Sequence, residues 1–435
     1  MVYKMNEYNL NKKNLKKVIV AHPFRQHSFH VATALAQKDM LFAYCTTVYD
    51  KPKSLMGLVK KFLNEKWKNK ANGRKCESIS NEKVKLFCEI RGYLALAINR
   101  FCPSSNIVGM YQRYLFKCFG KKVASYVMNN EIDVVVMFDT TASECFEILK
   151  KKCPNTTLVL DMSALALPYI KYIYETQEIG NSLQTIKKTQ AYLWNESVMN
   201  YLCREFKYAD KFIAASEITK KSLLYSGVSQ EKVTIIPYGV DNEKFSISES
   251  NCQKEVSKIK ILYVGHVDYR KGVHHLINVV NRMTNVELNL YGVYHEDYPI
   301  YRENKTKENI HFHGFVTQEQ LACIYRNSDV FVFPSTNDGF GLVVMEAMAS
   351  GLPVICSANA GASDLIDDGV NGFIYAAADE KMLENLIEHI KNCSEEATQM
   401  GKCANERVKK YTWEKYYGSI RGLICNENEY TVFEN

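Results

Sequence analysis

Short β-branched runs alternate along this chain with stretches of helical period, and that alternation restricts the fold more than any other feature. The first series is Lys17–Ala21, Asp133–Asp139, Thr157–Asp161, Lys211–Ala214 and Val233–Pro237. A second series follows at Ile259–Gly265, Glu287–Gly292, Ile310–Gly314, Asp329–Pro334 and Pro353–Ser357. Runs apolar on both faces belong in parallel sheets covered by helices on both sides, because a strand with one wet face alternates polar and apolar residues. The expected fold class is α/β, in two doubly wound halves. Residues 241–258 are polar and charged with no apolar period, which is linker composition. The expected division is therefore 1–240, a linker at 241–258, a second half at 259–415 and a C-terminal segment at 416–435.

A length of 435 residues suits two to three domains with real cores. Hydrophobic residues at 46% and charged residues at 24% fit a soluble globular chain and exclude collagen, a disordered chain and a disulfide mini-protein. The net charge of +7 is too small over this surface to argue for nucleic acid, so no nucleic-acid partner is expected. No secretory h-region and no apolar run of about 18 residues is visible. The 14 cysteines form no C-x-x-C pair and no zinc-type spacing, so they read as reduced, small buried hydrophobes. Cytoplasmic placement and no metal are expected. One stretch is unusual: residues 51–75 hold nine Lys or Arg against the single acid Glu65, with Leu55, Leu58, Val59, Phe62, Leu63 and Trp67 close to helical spacing. This is either a basic amphipathic helix suited to an anionic membrane surface or a surface helix packed on the first sheet.

The segment with the most chemistry is Phe331–Tyr375. A strand ends at Pro334, and the loop Asp338-Gly339-Phe340-Gly341 leads into a helix starting near Leu342. In parallel α/β sheets ligands sit at the carboxyl ends of strands, and a helix N-terminus there favours phosphate. Glycines let the backbone approach the ligand. Glu346 stands in a helix otherwise apolar all round. A buried carboxylate costs several kcal/mol unless it is satisfied, so Glu346 is either salt-bridged to a core cation or hydrogen-bonded by sugar or ribose hydroxyls. Asp338 is either a turn-forming residue before glycine or a second carboxylate reaching the same pocket.

The run from Asp338 through Glu346 to Ala-Met-Ala-Ser-Gly-Leu-Pro-Val resembles the motif of the family-four retaining glycosyltransferases, also called glycosyl transferases group 1: an acidic residue, seven others, Glu, then Ala-Met-Ala and Gly-x-Pro-Val. The resemblance implies two facing Rossmann-like domains with a cleft between them, the GT-B architecture. It implies that Glu346 holds the nucleotide ribose and that Asp338 contacts donor-sugar hydroxyls. It further implies that N–H groups of Gly341, Leu342 and Val343 face the diphosphate, with Gly339 and Phe340 in the same donor loop. The family usually has Glu where this chain has Asp338; one methylene shortens the reach by roughly 1.5 Å, which implies a changed donor sugar or pose.

Further segments share the resemblance. After the first strand of the second half come Gly265, His266, Arg270 and Lys271. The family places Arg and Lys here to neutralise the diphosphate; Lys271 fits, His266 takes the earlier basic position, and Arg270 lies close by with the fixed fork that suits phosphate. Asn309–Val316 resembles the loop that receives the base, which nominates Val316. Asp364 stands where the family often has Glu; a donor contact and an N-cap are both open. Pro237-Tyr-Gly-Val-Asp241 with Phe245 resembles the domain-closing segment, and Tyr411-Thr-Trp413-Glu414 the final helix that crosses back onto the first domain. In the first half the loop from His22 to Ser28 lacks glycine. His22, Arg25, Gln26 and His27 are candidate contacts for diphosphate or acceptor; the alternative is a polar surface loop. Asp139 and Asp161 end strands at the same cleft. Relatives often carry a His near Asp161; this segment has none, and no general base is assigned.

The implied activity is retaining transfer of a hexose-type sugar from a UDP- or GDP-sugar to a hydroxyl of a glycan or lipid-linked glycan precursor, without cofactor or metal. Lys271, Arg270 and Asp338 are the expected catalytic groups. A sugar-nucleotide epimerase of the same architecture and a non-catalytic nucleotide-sugar binder are the alternatives.

Overall fold

The computed structural model describes residues 16–25, 27–60, 73–102, 106–177, 182–247 and 258–425. Gln26, residues 61–72 of the basic stretch 51–75 and most of the linker (248–257) lie outside the described residues. Two parallel sheets form. The first holds β1 (Val18–Ala21), β2 (Leu41–Thr46), β3 (Val84–Leu86), β4 (Val134–Phe138), β5 (Thr157–Met162), β6 (Lys211–Ala214) and β7 (Val233–Ile235), in the order β3-β2-β1-β4-β5-β6-β7. The second holds β8 (Ile259–Val264), β9 (Val286–Tyr291), β10 (Ile310–Gly314), β11 (Val330–Phe333), β12 (Val354–Ser357) and β13 (Phe373–Tyr375), in the order β10-β9-β8-β11-β12-β13. Every strand pairing within the two sheets is parallel.

All the strands expected from the β-branched runs form. Three further strands were not expected. Leu41–Thr46 carries Ala, Tyr and Cys in place of a Val/Ile run, and Val84–Leu86 and Phe373–Tyr375 have three residues each, too few for a period to register. The helices used below are α1 (Ser28–Ala36), α2 (Glu89–Phe101), α3 (Asn106–Asn130), α4 (Leu167–Thr176), α5 (Glu217–Tyr225), α6 (Val273–Arg282), α7 (Leu342–Ala349) and α8 (Trp413–Cys425). β4, β8 and β11 are buried on both faces apart from Lys260, as strands covered by helices on each side must be.

The described start of the linker is packed: the Phe245 ring is buried 5.8 Å from Tyr325, and the Ile247 side chain lies against Gly351. The polar composition of 241–258 conceals these two anchors. Twelve described cysteines are free; only Cys45, Cys145 and Cys356 are buried, and Cys102 and Cys323 are exposed, so the expectation of buried thiols holds for a minority. Among the described residues no helix is long and apolar enough to cross a membrane.

α8 returns the chain to the first sheet. Trp413 stacks on the His30 ring of α1 at 3.5 Å and 7°, the Tyr417 hydroxyl lies 3.0 Å from His30 Nδ1, and Arg421 donates to the Ala34 carbonyl at 3.3 Å. Lys211, on β6, donates to the Leu423 carbonyl at 3.0 Å. Ile420 is fully buried in this contact. Ile420→Ala is expected to cost about 2–5 kcal/mol, as for other buried large-to-small changes, measured by denaturant unfolding. A loss of a few tenths would show that α8 is not part of the core.

Candidate active site

Each sheet reverses its strand order once, and a crevice opens at the carboxyl ends on either side of the reversal. In the second sheet the reversal lies between β8 and β11. The loops that follow these strands carry Arg270 with Lys271 and Asp338. They are tied together by Thr336, whose N–H and hydroxyl donate to the Arg270 carbonyl at 3.1 and 2.7 Å. Lys271 pairs with Asp338 in a largely buried ion pair and sits 5.5 Å above the Phe333 ring. Burial pushes the Asp338 carboxyl upward, but Lys271, Arg270 and the Phe340 N–H, 3.2 Å away, together hold it below its ordinary range. Burial acts against the Arg270 charge, and Asp268, Asp338 and Tyr174 outweigh it and raise its pKa. This sequence therefore places two cations and two carboxylates, Asp268 and Asp338, together at the switch point.

Gly341 begins α7 with φ +95°, and a Cβ there would lie 3.0 Å from the Phe333 ring. Only glycine meets both conditions without strain. The first N–H groups of α7, at Leu342 and Val343, have no intrahelical partner by the geometry of any helix start. Glu346 lies one turn further and accepts from the Tyr325 hydroxyl at 3.1 Å. Among the described residues Glu346 has no salt bridge, so the core-cation alternative is absent. Burial pushes its carboxyl up to about 7, against the pull of the Tyr325 hydrogen bond. At the end of β8, Gly265 and Gly292 meet backbone to backbone: a Cβ on Gly292 would lie 2.0 Å from the Gly265 carbonyl oxygen. His266 is exposed beside them and its carbonyl accepts from the Tyr263 hydroxyl at 2.7 Å. Val316 is half-buried beyond β10, next to the exposed Phe315.

The loop at 337–341 is gripped by the first half of the chain. The Gly339 carbonyl accepts from the Ser216 and Thr219 hydroxyls at 2.7 and 2.9 Å, and a Cβ on Gly339 would lie 2.6 Å from the Ser163 carbonyl. Asn337 donates to the Tyr174 hydroxyl of α4 at 2.7 Å, and Asn359 donates to Gln177 at 2.7 Å. Asp364 accepts from the Glu217 N–H at 2.7 Å, so it caps α5 of the other half rather than its own helix. Tyr238, in the segment assigned to hinge geometry, is buried among the rings of His27, Phe340, Trp413 and Tyr416. Nothing in its local sequence marks it.

The first sheet reverses between β1 and β4. His27 Nε2 lies 3.1 Å from Asp161 Oδ2, both side chains being nearly buried. The loop after β1 thus brings a histidine to Asp161, a juxtaposition no local spacing could reveal. Asp139 accepts from the Ser163 N–H and hydroxyl at 2.9 and 2.5 Å; burial raises its carboxyl, with those bonds in opposition. Glu205 was missed by sequence reading. It is buried and accepts from the Thr140 and Ala142 N–H groups at 2.6 and 3.0 Å, which fixes the turn after Asp139; burial pushes it up to about 8. His22 is buried against Phe138, engages the Phe24 backbone and is lowered to about 4 by burial. Arg25 donates to the Gly73 carbonyl and lies 5.9 Å from the Phe29 ring, engaged by its own half. His389, Cys393 and Glu396 form a separate group of potential metal ligands on the second half.

The Glu346 carboxyl, ordinarily near 4.5, reaches about 7 when folded. Its folded form favours the proton, so this contribution to stability is fully present below pH about 4.5 and is lost as pH rises to about 7, on the order of 3 kcal/mol. Glu346→Gln is therefore expected to melt above the unsubstituted protein at pH 8, with the difference shrinking towards pH 5. An unchanged pH slope in thermal melting would contradict this source.

Residues 247–407 match the family model described as glycosyl transferases group 1. An uncharacterized 41.2 kDa protein in the cps region of Klebsiella pneumoniae is 27% identical over 315 residues, covering 66% of this chain and 81% of that protein. The capsular polysaccharide biosynthesis glycosyltransferase CapM of Staphylococcus aureus is 30% identical over 224 residues, covering 46% of this chain and 57% of CapM. Among solved structures, Anabaena HepE in complex with UDP-glucose superposes with TM-score 0.62 at 16% identity, covering 94% of this chain and 98% of that one. With the two parallel sheets, these likenesses show a GT-B fold in which residues 247–407 match the group 1 glycosyl transferase family.

Proposed function

We propose that this protein transfers a hexose-type sugar from a nucleoside diphosphate donor, a UDP- or GDP-sugar, to a hydroxyl of a glycan or lipid-linked glycan precursor. The observation that carries this reading is the Lys271–Asp338 pair, with Arg270 beside it, at the carboxyl ends of β8 and β11 and in front of α7. The donor diphosphate lies against Lys271, Arg270 and the Gly341–Val343 N–H groups. Glu346 accepts from the ribose hydroxyls with the oxygen that Tyr325 leaves free. Asp338, released from Lys271 as the diphosphate takes its place, turns to the sugar hydroxyls. Gly265, His266 and Val316 border the nucleoside.

Departure of the nucleoside diphosphate builds negative charge on its terminal oxygens. Fixed cations and backbone donors aimed there stabilise that charge without reorganising, typically the largest catalytic effect in such a site. Protein cations take the role a metal would have, and attack on the same face as departure retains configuration. The acceptor lies against the first half, where Asp139 and the His27–Asp161 pair face the cleft. The name of CapM supports a surface-polysaccharide acceptor, and the UDP-glucose held by HepE supports a uridine donor. The basic stretch 51–75 supports a seat on the inner face of the cytoplasmic membrane, where lipid-linked precursors lie.

Release of nucleoside diphosphate from UDP-glucose and GDP-mannose in the presence of membrane-extract acceptors tests this reading. Lys271→Ala is expected to lower kcat by about 10²–10³, the typical loss when one charge-stabilising donor is removed. EDTA is expected to leave the rate unchanged. Turnover within threefold of the unsubstituted protein would remove Lys271 from the chemistry, and epimerised donor without acceptor consumption would replace transfer by isomerisation.

A further inference from the structure

The largest concentration of exposed apolar side chains lies outside the cleft, on the antiparallel pair α2–α3. On α2, Ile90, Leu94 and Phe101 are 67%, 49% and 77% exposed. Their spacing puts them on one side of the helix, with Gly92 and Ala95 buried on the other. On α3, Ile107, Met110 and Tyr114 are 58%, 63% and 48% exposed at helical spacing. The Arg91 guanidinium, 5.7 Å from the Tyr114 ring, joins the two faces. Phe101 ends α2 and Ile107 stands near the start of α3, while Ile90 and Tyr114 lie towards the other end of the pair, so the apolar residues form a face that runs the length of α2. Scattered single exposed hydrophobics are ordinary; six on two adjacent helices mark an interaction surface.

Charge selects the partner. Residues 90–130 contain Arg91, Arg100, Arg113, Lys117, Lys121 and Lys122 and no Asp or Glu. Glu89, at the start of α2, accepts from the Leu55 N–H at 2.8 Å, and this contact places the beginning of the basic stretch 51–75 at the foot of the same pair. These two stretches of sequence hold fifteen Lys and Arg against one Glu in a chain whose net charge is +7, so the remainder of the sequence is net acidic; Lys61, Lys66, Lys68 and Lys70 lie outside the described residues. Lys117, Lys121 and Lys122 lie about 10–18 Å along α3 from Met110. An apolar face edged by Arg91, Arg100 and Arg113, with Lys117, Lys121 and Lys122 further along α3, matches a bilayer boundary, where the acyl region lies beneath an anionic headgroup layer. A second copy of this face would bring like charges together.

We propose that the apolar face of the α2–α3 pair enters an anionic membrane surface and seats the N-terminal half on the bilayer. The proposal deepens the reading of a membrane-linked acceptor and rests on it for its purpose; vesicle binding is measured without turnover, so the two fail separately. The test is flotation of the full chain with phosphatidylcholine vesicles, with and without phosphatidylglycerol. The expected result is flotation only with phosphatidylglycerol, reduced about tenfold by Phe101→Glu with Met110→Glu. Val370→Glu with Met382→Glu, exposed apolar positions elsewhere, leaves flotation unchanged. Lys117→Gln with Lys121→Gln lowers it severalfold. Unchanged thermal midpoints show that each variant is folded. Flotation that ignores the Phe101/Met110 change would assign binding to residues 51–75 alone and overturn the proposal. So would absence of flotation, whether or not light scattering then showed a complex or dimer that the same substitutions dissolve.

Discussion

The backbone of Gly339 is the point on which the site depends. Its carbonyl is held by two hydroxyls of the first half, Ser216 and Thr219, and its α-carbon faces the Ser163–Ala164 backbone with no room for a side chain. Gly361 packs on the same carbonyl, with a would-be Cβ 2.2 Å away. The residue before Gly339 is Asp338 and the residues after it open α7. One junction between the halves therefore sets the carboxylate, the glycine turn and the helix N-terminus together.

The cleft concentrates groups that are costly in isolation. Glu346 and Glu205 are raised to about 7 and 8 by burial, while Asp338 is held low only because Lys271 and Arg270 stand beside it. A fold selected for stability alone would replace such carboxylates with apolar side chains of similar volume. Their arrangement has a different logic. Glu205 fixes the turn that presents Asp139, Tyr325 orients Glu346, and Asp338 occupies Lys271 in the absence of another anion.

Much of this was legible in the sequence. The β-branched runs announced the strands because parallel strands buried on both faces need such residues at every position. The loop at 338–341 and the helix it opens were legible because glycines, an acidic residue and a lone Glu in an apolar helix are each locally improbable. What could not be read came from pairings distant in the chain. His27 and Asp161 meet only because β1 and β5 flank β4, and Glu205 reaches the 140–142 turn across more than sixty residues. Tyr238 joins both halves although its neighbours read as a hinge. Asp364 showed the opposite failure: its N-cap chemistry was legible, but the helix it caps belongs to the other half. The apolar face of α2–α3 was also silent, since exposed and buried faces of amphipathic helices share one period.

The central claim is that the cleft of the second half binds a nucleoside diphosphate through Lys271. The direct measurement is the thermal midpoint of the protein, unsubstituted and as Lys271→Ala, with UDP, GDP and ADP. At 100 times its dissociation constant a ligand adds roughly 2.7 kcal/mol to the folded state. The account predicts a rise in midpoint with one of these nucleotides and its loss in Lys271→Ala. An equal rise in both proteins would contradict it.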